Sequence, residues 1–258
     1  MQTWTLITGA STGLGVEFAR LAARDGHNLI LTARSKDKLD ALARDLASDG
    51  RDIVVIPADL SRQDEVERLW AEASTDRRID VLVNNAGLGS HGDFASGQTW
   101  AREMQSMTVN MTALAYLMKQ AIPQMEAIGK GRILNVASVA GFTPGPNMAV
   151  YHATKAFVVS LSEAVAEELR GSPVTVTALC PGPTQTAFFE AADMGGVRLL
   201  ELGKPMSARK VAEAGWLAAR IGKRIVVPGA LNKVLAFLPR ITPRQLTTII
   251  ARKVMGKR

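Results

Sequence analysis

The stretch "TWTLITGASTGLG" (residues 3–15) sets an apolar, β-branched run directly against three glycines, Gly9, Gly13 and Gly15. The run reads as a strand over 3–8. The glycines let the backbone turn sharply and approach a ligand closely. The periodic apolar residues that follow read as a helix over about 14–25. A helix that begins at such a turn aims its free N–H groups, and the positive end of its dipole, at whatever binds there. A pyrophosphate suits that position. A plain tight turn is the alternative, and the strand–turn–helix setting favours the phosphate.

Outward from this unit the alternation continues. Further strands are expected over 28–33, 52–58, 80–86, 131–138, 174–182 and 224–229, and helices over about 37–48, 63–74, 100–127 and 149–169. Near-continuously apolar strands separated by helices imply an α/β fold. The expected form is a doubly wound, mostly parallel sheet of about seven strands with helices on both faces. No linker, repeat or low-complexity run interrupts the chain, so residues 1–258 are read as one domain. Within it, about 187–207 is expected to be a substrate lid and about 230–258 a basic extension.

The single cysteine, Cys180, excludes an internal disulfide and a multi-cysteine metal site. Three widely spaced histidines (His27, His91, His152) make a histidine-based metal site a poor reading, and no metal is expected. The first residues lack a basic segment followed by a long apolar one, and no apolar run approaches the roughly 18 residues that span a bilayer. A cytoplasmic protein is expected. The net charge of +7 is unevenly placed: residues 214–258 hold ten basic residues and no acid, and the rest holds 21 basic against 24 acidic. A basic tail on a slightly acidic body argues against general nucleic-acid binding.

Tyr151 and Lys155 in "YHATK" are one helical turn apart and share a face. Lowering a phenol from about 10 to about 7 takes roughly 4 kcal/mol. An ammonium about 5 Å away, at an effective dielectric near 20, supplies on the order of 3 kcal/mol. A second positive charge nearby would have to supply the rest. Ser138 ends the fifth strand thirteen residues before Tyr151, where its hydroxyl can hold a substrate oxygen.

The glycine spacing is T-G-x-x-x-G-x-G. With "NNAG" (84–87) after the fourth strand and "YHATK" (151–155) after the fifth, the chain resembles the short-chain dehydrogenase/reductase family from residue 8 to about 186. The resemblance implies a Rossmann-like sheet and a catalytic set of Asn110, Ser138, Tyr151 and Lys155. In that set Asn110 steadies a water that feeds protons to Lys155, and Lys155 also holds the nicotinamide ribose. It implies cofactor contacts from Gly9, Ser11, Thr12, Gly13, Leu14 and Gly15 at the turn, and from Asp59 and Leu60 at the adenine. Further contacts are implied from Asn85, Ala86 and Gly87 at the ribose, from Tyr151 and Lys155, and from Pro181, Gly182, Thr184 and Thr186 near the nicotinamide. A homodimer or homotetramer is implied as well.

The end of the second strand selects the cofactor. In "LTARSKDK" (31–38) Ala33 stands where an acid would hold the ribose 2′-hydroxyl, and Arg34 follows. A guanidinium fork suits a 2′-phosphate, so NADP(H) is expected ahead of NAD(H), with nearby Asp37 as a mild counter-indication. The expected reaction is hydride transfer between the nicotinamide and a carbonyl or secondary alcohol, with Tyr151 as general acid/base. The Phe-, Met- and Leu-rich lid, with residues near Pro144 and Met148 opposite, points to an apolar substrate. Arg198 and Lys204 are the available contacts for a charged head group. His152 is expected at a pocket wall or subunit contact, and Tyr116 and Cys180 in packing.

Two rival readings remain at this point. One is a cofactor-binding regulatory protein without turnover. The other is a lipid or acyl-ketone reductase resting on a membrane through its basic tail. Pro239 and Pro243 divide that tail, which favours a packed helix over a membrane contact.

Overall fold

The computed structural model describes residues 3–47, 50–198 and 204–256. β1 (Trp4–Thr8), β2 (Asn28–Thr32), β3 (Ile53–Val55), β4 (Ile79–Asn84), β5 (Gly131–Val136) and β6 (Val174–Leu179) belong to the main sheet. Two short strands, β7 (Thr184–Gln185) and β8 (Met206–Ser207), pair with each other apart from it. β9 (Ile225–Val226) completes a seven-stranded sheet in the order β3-β2-β1-β4-β5-β6-β9, with every pair parallel. The expected doubly wound Rossmann-like α/β fold is the one observed.

Alternation along the strands divides the core in two, because successive side chains point to opposite faces. Leu6, Ile30, Leu82 and Ile133 face one side, and their neighbours Ile7, Leu29, Val83 and Leu134 face the other. The second side packs on α1 (Gly13–Arg24) and α2 (Lys36–Leu46), which contribute Phe18 and Leu39. The first packs on α3 (Gln63–Ser74) through Val66 and Leu69. Both faces are therefore dry, as a parallel sheet requires. Truncating a fully buried residue such as Leu6 or Ile7 to alanine is expected to cost about 2–5 kcal/mol.

The long helix expected over 100–127 is not continuous. α4 (Trp100–Met107) runs into one π-helical turn, Thr108–Ala113, before α5 (Leu114–Ile128) resumes. A π turn inserts one residue into the ladder and re-aims the side chains within it, here Asn110. α6 (Ala149–Glu168) follows β5, and α7 (Phe188–Ala191) is a single turn. β3, β6 and β9 are shorter than the apolar runs that announce them.

α8 (Ala208–Arg220) was not anticipated, although Val211, Ala212, Gly215, Trp216 and Ala219 form its buried stripe and the Ser207 side chain caps it by accepting from the Lys210 N–H at 3.4 Å. It covers the same face as α1 and α2. The tail divides as its prolines indicate, into α9 (Ala230–Phe237), a 3₁₀ turn at Leu238–Arg240 and α10 (Arg244–Met255). Among the described residues no helix is long and apolar enough to cross a membrane.

Candidate functional site

The strand order reverses direction between β1 and β4, which opens a crevice at their carboxyl ends. Thr8 fastens the two sides: its hydroxyl accepts from the N–H groups of Asn85 and Ala86, both at 3.0 Å. The Asn85 side chain donates back to the carbonyls of Thr8 and Gly9 at 2.9 and 3.1 Å. The close approach requires glycine. Gly9 has φ +64°, and a Cβ there would lie 2.9 Å from the Ala86 Cα. A Cβ on Gly15 would collide with the Gly9 carbonyl oxygen.

A cavity of about 780 Å³ runs from this turn to Tyr151 and beyond, under the tail. It is lined by every residue expected to be catalytic or cofactor-binding except Gly15 and Asn110. Gly15 is buried beneath Gly9 and fixes the turn rather than facing the cavity. The α1 N-cap, Thr12, makes no side-chain capping bond, so the first N–H groups of α1 are left for a ligand. A pyrophosphate fits this cradle on physical grounds: glycines that admit close approach, open helix N–H groups, and a cavity of dinucleotide scale.

Beyond the end of β2, Arg34 is exposed and lines the cavity with Ser35 and Lys38, which the sequence did not single out. Asp59 sits below the usual carboxylate range. Burial pushes it up, but hydrogen bonds from the Ser61 N–H and hydroxyl, and the charges of Arg34 and Arg62, outweigh that.

At the other end, α6 carries Tyr151 and Lys155. The Lys155 ammonium donates to the Val136 carbonyl at the end of β5 at 2.7 Å and lies 5.8 Å from the Tyr151 ring centre. Burial lowers Lys155 to about 8. Burial raises the Tyr151 phenol to about 12, against a hydrogen bond with the Ser138 side chain that works downward. The drop expected with an oxidised nicotinamide beside it is not seen in the protein alone, where burial outweighs the Ser138 hydrogen bond.

Ser138 reaches the phenol from the end of β5. Its oxygen accepts from the Ala140 N–H at 3.1 Å, and its hydroxyl has a long donor contact of 3.4 Å to the Pro181 carbonyl. Asn110 is a buried strut. Its Oδ1 accepts from the Leu88 N–H at 2.8 Å, and its Nδ2 donates to the Leu88 carbonyl at 2.8 Å and to Thr154 Oγ1 at 2.9 Å. Both amide hydrogens are thereby engaged, so the side chain braces the strand-4 loop instead of presenting free donors to a water. Gly87 lies between it and the lysine: a Cβ there would be 3.4 Å from both Asn110 Oδ1 and Lys155 Nζ.

A model of the short chain dehydrogenase family matches residues 3–194. The chain belongs to the short-chain dehydrogenase family. Oxidoreductase UcpA of Salmonella typhimurium (strain LT2) is 35% identical over 225 residues, 83% of this chain and 85% of that protein. A short-chain dehydrogenase from Sphingobium yanoikuyae, solved in complex with NADPH, is 33% identical and superposes with a TM-score of 0.81 over 95% of this chain and 97% of its own. The bulky-bulky ketone specific alcohol dehydrogenase from Comamonas testosteroni is 31% identical, with a TM-score of 0.77 over 95% and 96% of the two chains. This short-chain dehydrogenase is thus a hydride-transferring oxidoreductase that uses a nicotinamide cofactor.

The apolar end of the cavity matches the sequence expectation only in part. Phe188, Phe189 and Met194 from the expected lid line it. Met148 and Thr143, next to Pro144, line it too, with Met148 packed against Met194 and Phe188 and not across from them; Arg198 and Lys204 do not line it. Residues 199–203 of that lid lie outside the described residues. The remaining wall comes from the tail: Leu238, Thr247, Ile250, Val254 and Met255 complete it. Met255 is buried with Met148 and Met194 against the half-buried Phe188, and its carbonyl lies 2.7 Å from His91 Nε2. Only the spacing of apolar residues on α10 hinted at this role.

His152 lies at the cavity wall with Nδ1 2.8 Å from the Thr143 carbonyl, and burial lowers its pKa against the Thr143 and Ala140 backbone contacts. Cys180 is buried, with its thiol raised by that burial to about 12. Tyr116 packs against the core as expected.

Proposed function

We propose that this enzyme is an NADP(H)-dependent carbonyl reductase, or secondary-alcohol dehydrogenase, for bulky apolar substrates. One observation carries the reading: Ser138, Tyr151 and Lys155 meet in one cavity whose far end is the glycine turn and Arg34, and whose near end is walled by Phe, Met, Leu and Ile side chains. A nicotinamide dinucleotide held by the glycine turn, Asn85 and Lys155 would supply or accept the hydride, and in its oxidised form would bring a positive charge.

The chain's own groups handle the oxygen and its proton. Tyr151 is the general acid in reduction and the base in oxidation. With its phenol near 12 in the protein alone, it holds the proton that the substrate oxygen needs. Ser138 has its hydroxyl hydrogen on a long contact to Pro181, and turning that hydrogen to the substrate oxygen costs little. Lys155, still largely cationic below pH 8, stabilises the phenolate left by proton transfer. Asn110 positions Leu88 and Gly87, and a water in the space beside Gly87 would link its backbone to Lys155.

Arg34 and Lys38 are the groups for a 2′-phosphate. Phe188, Phe189 and the tail form the closing wall, so residues near 187–198 act with α9 and α10 rather than as an isolated lid. The Comamonas ketone enzyme is consistent with an apolar, bulky ketone.

The test is a titration of the purified protein with NADPH and NADH, followed by nicotinamide fluorescence, and then a screen of bulky ketones against the Tyr151→Phe variant. Tighter NADPH binding together with turnover that Tyr151→Phe abolishes supports the reading. Tighter NADH binding overturns the cofactor assignment, and turnover unchanged in Tyr151→Phe overturns the acid/base assignment.

A further inference from the structure

α9 and α10 have two sides. Their inner sides reach the cavity through Leu235, Ala251 and Val254. Their outer sides carry Leu231, Val234 and Phe237 on α9, Ile241 on the connection, and Leu246 and Ile249 on α10. All six are exposed, Phe237 at 56% and Ile241 at 68%. None of the six lines the cavity. The three-residue steps 231–234–237 and 246–249 put each set on one stripe of its helix. Single exposed apolar residues are ordinary, whereas a run of this density marks a surface that meets an apolar partner.

The charge identifies the partner. Residues 230–256 contain Lys233, Arg240, Arg244, Arg252 and Lys253 and no acid. Among the described residues none of these five is paired with a carboxylate. A second copy meeting this face symmetrically would bring cations against cations with no acid to answer them. Anionic lipid accepts both features at once, the cations at the headgroups and the apolar stripes at the acyl boundary.

We infer that the outer face of α9 and α10 docks on an anionic lipid bilayer. The contact is peripheral, since no described helix can span the membrane. It places the roof of the cavity against the lipid, where apolar molecules concentrate. The docking itself does not rest on the chemistry assigned to Tyr151, so either can fail without the other.

The full-length protein is sedimented with vesicles of phosphatidylcholine alone and of phosphatidylcholine mixed with phosphatidylglycerol, at low and high salt. The expected result is pelleting with the mixed vesicles, weakened by salt. The triple variant Phe237→Glu, Ile241→Glu, Ile249→Glu is expected to lose about tenfold or more in partitioning with its circular dichroism unchanged. Should that variant misfold, Arg240→Ala with Arg244→Ala on exposed side chains serves instead, with roughly fivefold lost per cation.

The inference is overturned by absent pelleting on mixed vesicles, by equal pelleting on phosphatidylcholine alone, or by unchanged pelleting of whichever variant folds. It is overturned equally if size-exclusion chromatography shows these substitutions dissolving an oligomer while the parent protein ignores vesicles. The face is then a contact between copies.

Discussion

The Lys155 ammonium stands 5.8 Å from the centre of the Tyr151 ring and is held there by the Val136 carbonyl at 2.7 Å. At that range, with an effective dielectric near 20, the cation favours a phenolate by roughly 3 kcal/mol. Burial still leaves the phenol near 12 and takes the ammonium down to about 8. The pair therefore keeps its proton on the phenol at neutral pH. Replacing Tyr151 by phenylalanine removes the proton and little of the ring packing against Phe188. Turnover should fall by about 10²–10⁴ with cofactor affinity nearly unchanged. Single-turnover kinetics check this, and an unaltered rate constant would remove Tyr151 from the chemistry.

The buried ammonium has a cost that varies with pH. Lys155 has a folded pKa below its unfolded one, so between about 8 and 10.5 the unfolded chain holds a proton that the folded chain has released. Stability gains from this group as pH rises through that window, and the penalty is full below it. Tyr151 has the opposite sign, losing stability between about 10 and 12. Lys155→Met should be inactive yet more stable near pH 7, by up to about 3 kcal/mol less about 1 kcal/mol for the lost Val136 bond. The advantage should shrink as pH rises toward 10. Denaturant melts across pH read this directly, and a variant less stable at every pH by a constant amount would contradict it.

Arg34 is exposed on the cavity beyond the end of β2 and close enough to Asp59 to help keep its carboxyl ionised. A charge-assisted bond to a 2′-phosphate is worth about 1.5–3 kcal/mol. Arg34→Ala should weaken NADPH binding about 10–100-fold and change NADH binding little. Fluorescence titration gives both constants. Equal losses for the two cofactors would mean that Arg34 stacks on the adenine instead of reading the phosphate.

Gly87 leaves open the space between Asn110 Oδ1 and Lys155 Nζ, each 3.4 Å from the position a Cβ would take. Those distances are ordinary contact, so Gly87→Ala should fold with a loss under about 1 kcal/mol. It should displace a bridging water and slow proton delivery. The expected sign is a turnover reduced about tenfold or more with a larger solvent isotope effect than the parent. An unchanged isotope effect would exclude a relay through this space.

α10 closes the apolar end through Thr247, Ile250, Val254 and Met255, with His91 Nε2 on the Met255 carbonyl. Each apolar side chain withdrawn from a buried contact forfeits about 1.5–3 kcal/mol. Deleting residues 243–258 should raise KM for bulky ketones about tenfold or more and leave NADPH affinity within about twofold. Steady-state kinetics with one small and one bulky ketone separate the two effects. Equal changes for both ketones would show that α10 does not wall the substrate.

The sequence by itself determined the sheet and the crevice where the glycine turn, Ser138, Tyr151 and Lys155 line one cavity. Strand and helix periodicity, the glycine turn after β1 and the four-residue step from Tyr151 to Lys155 are local patterns. Local geometry carries them, because the positive φ at Gly9 favours glycine and one turn of helix fixes the shared face on α6. The tertiary structure decided what depends on partners distant in the chain. It turned Asn110 inward through a π turn onto Leu88, set the Tyr151 phenol upward by burying it, and brought α8 onto α1. It also folded the tail over the cavity, so that residues 247–255 wall a site built mostly from residues 9–188. Spacing cannot foretell these outcomes, since desolvation and long-range packing depend on which surfaces meet, and that is settled only when the whole chain has folded.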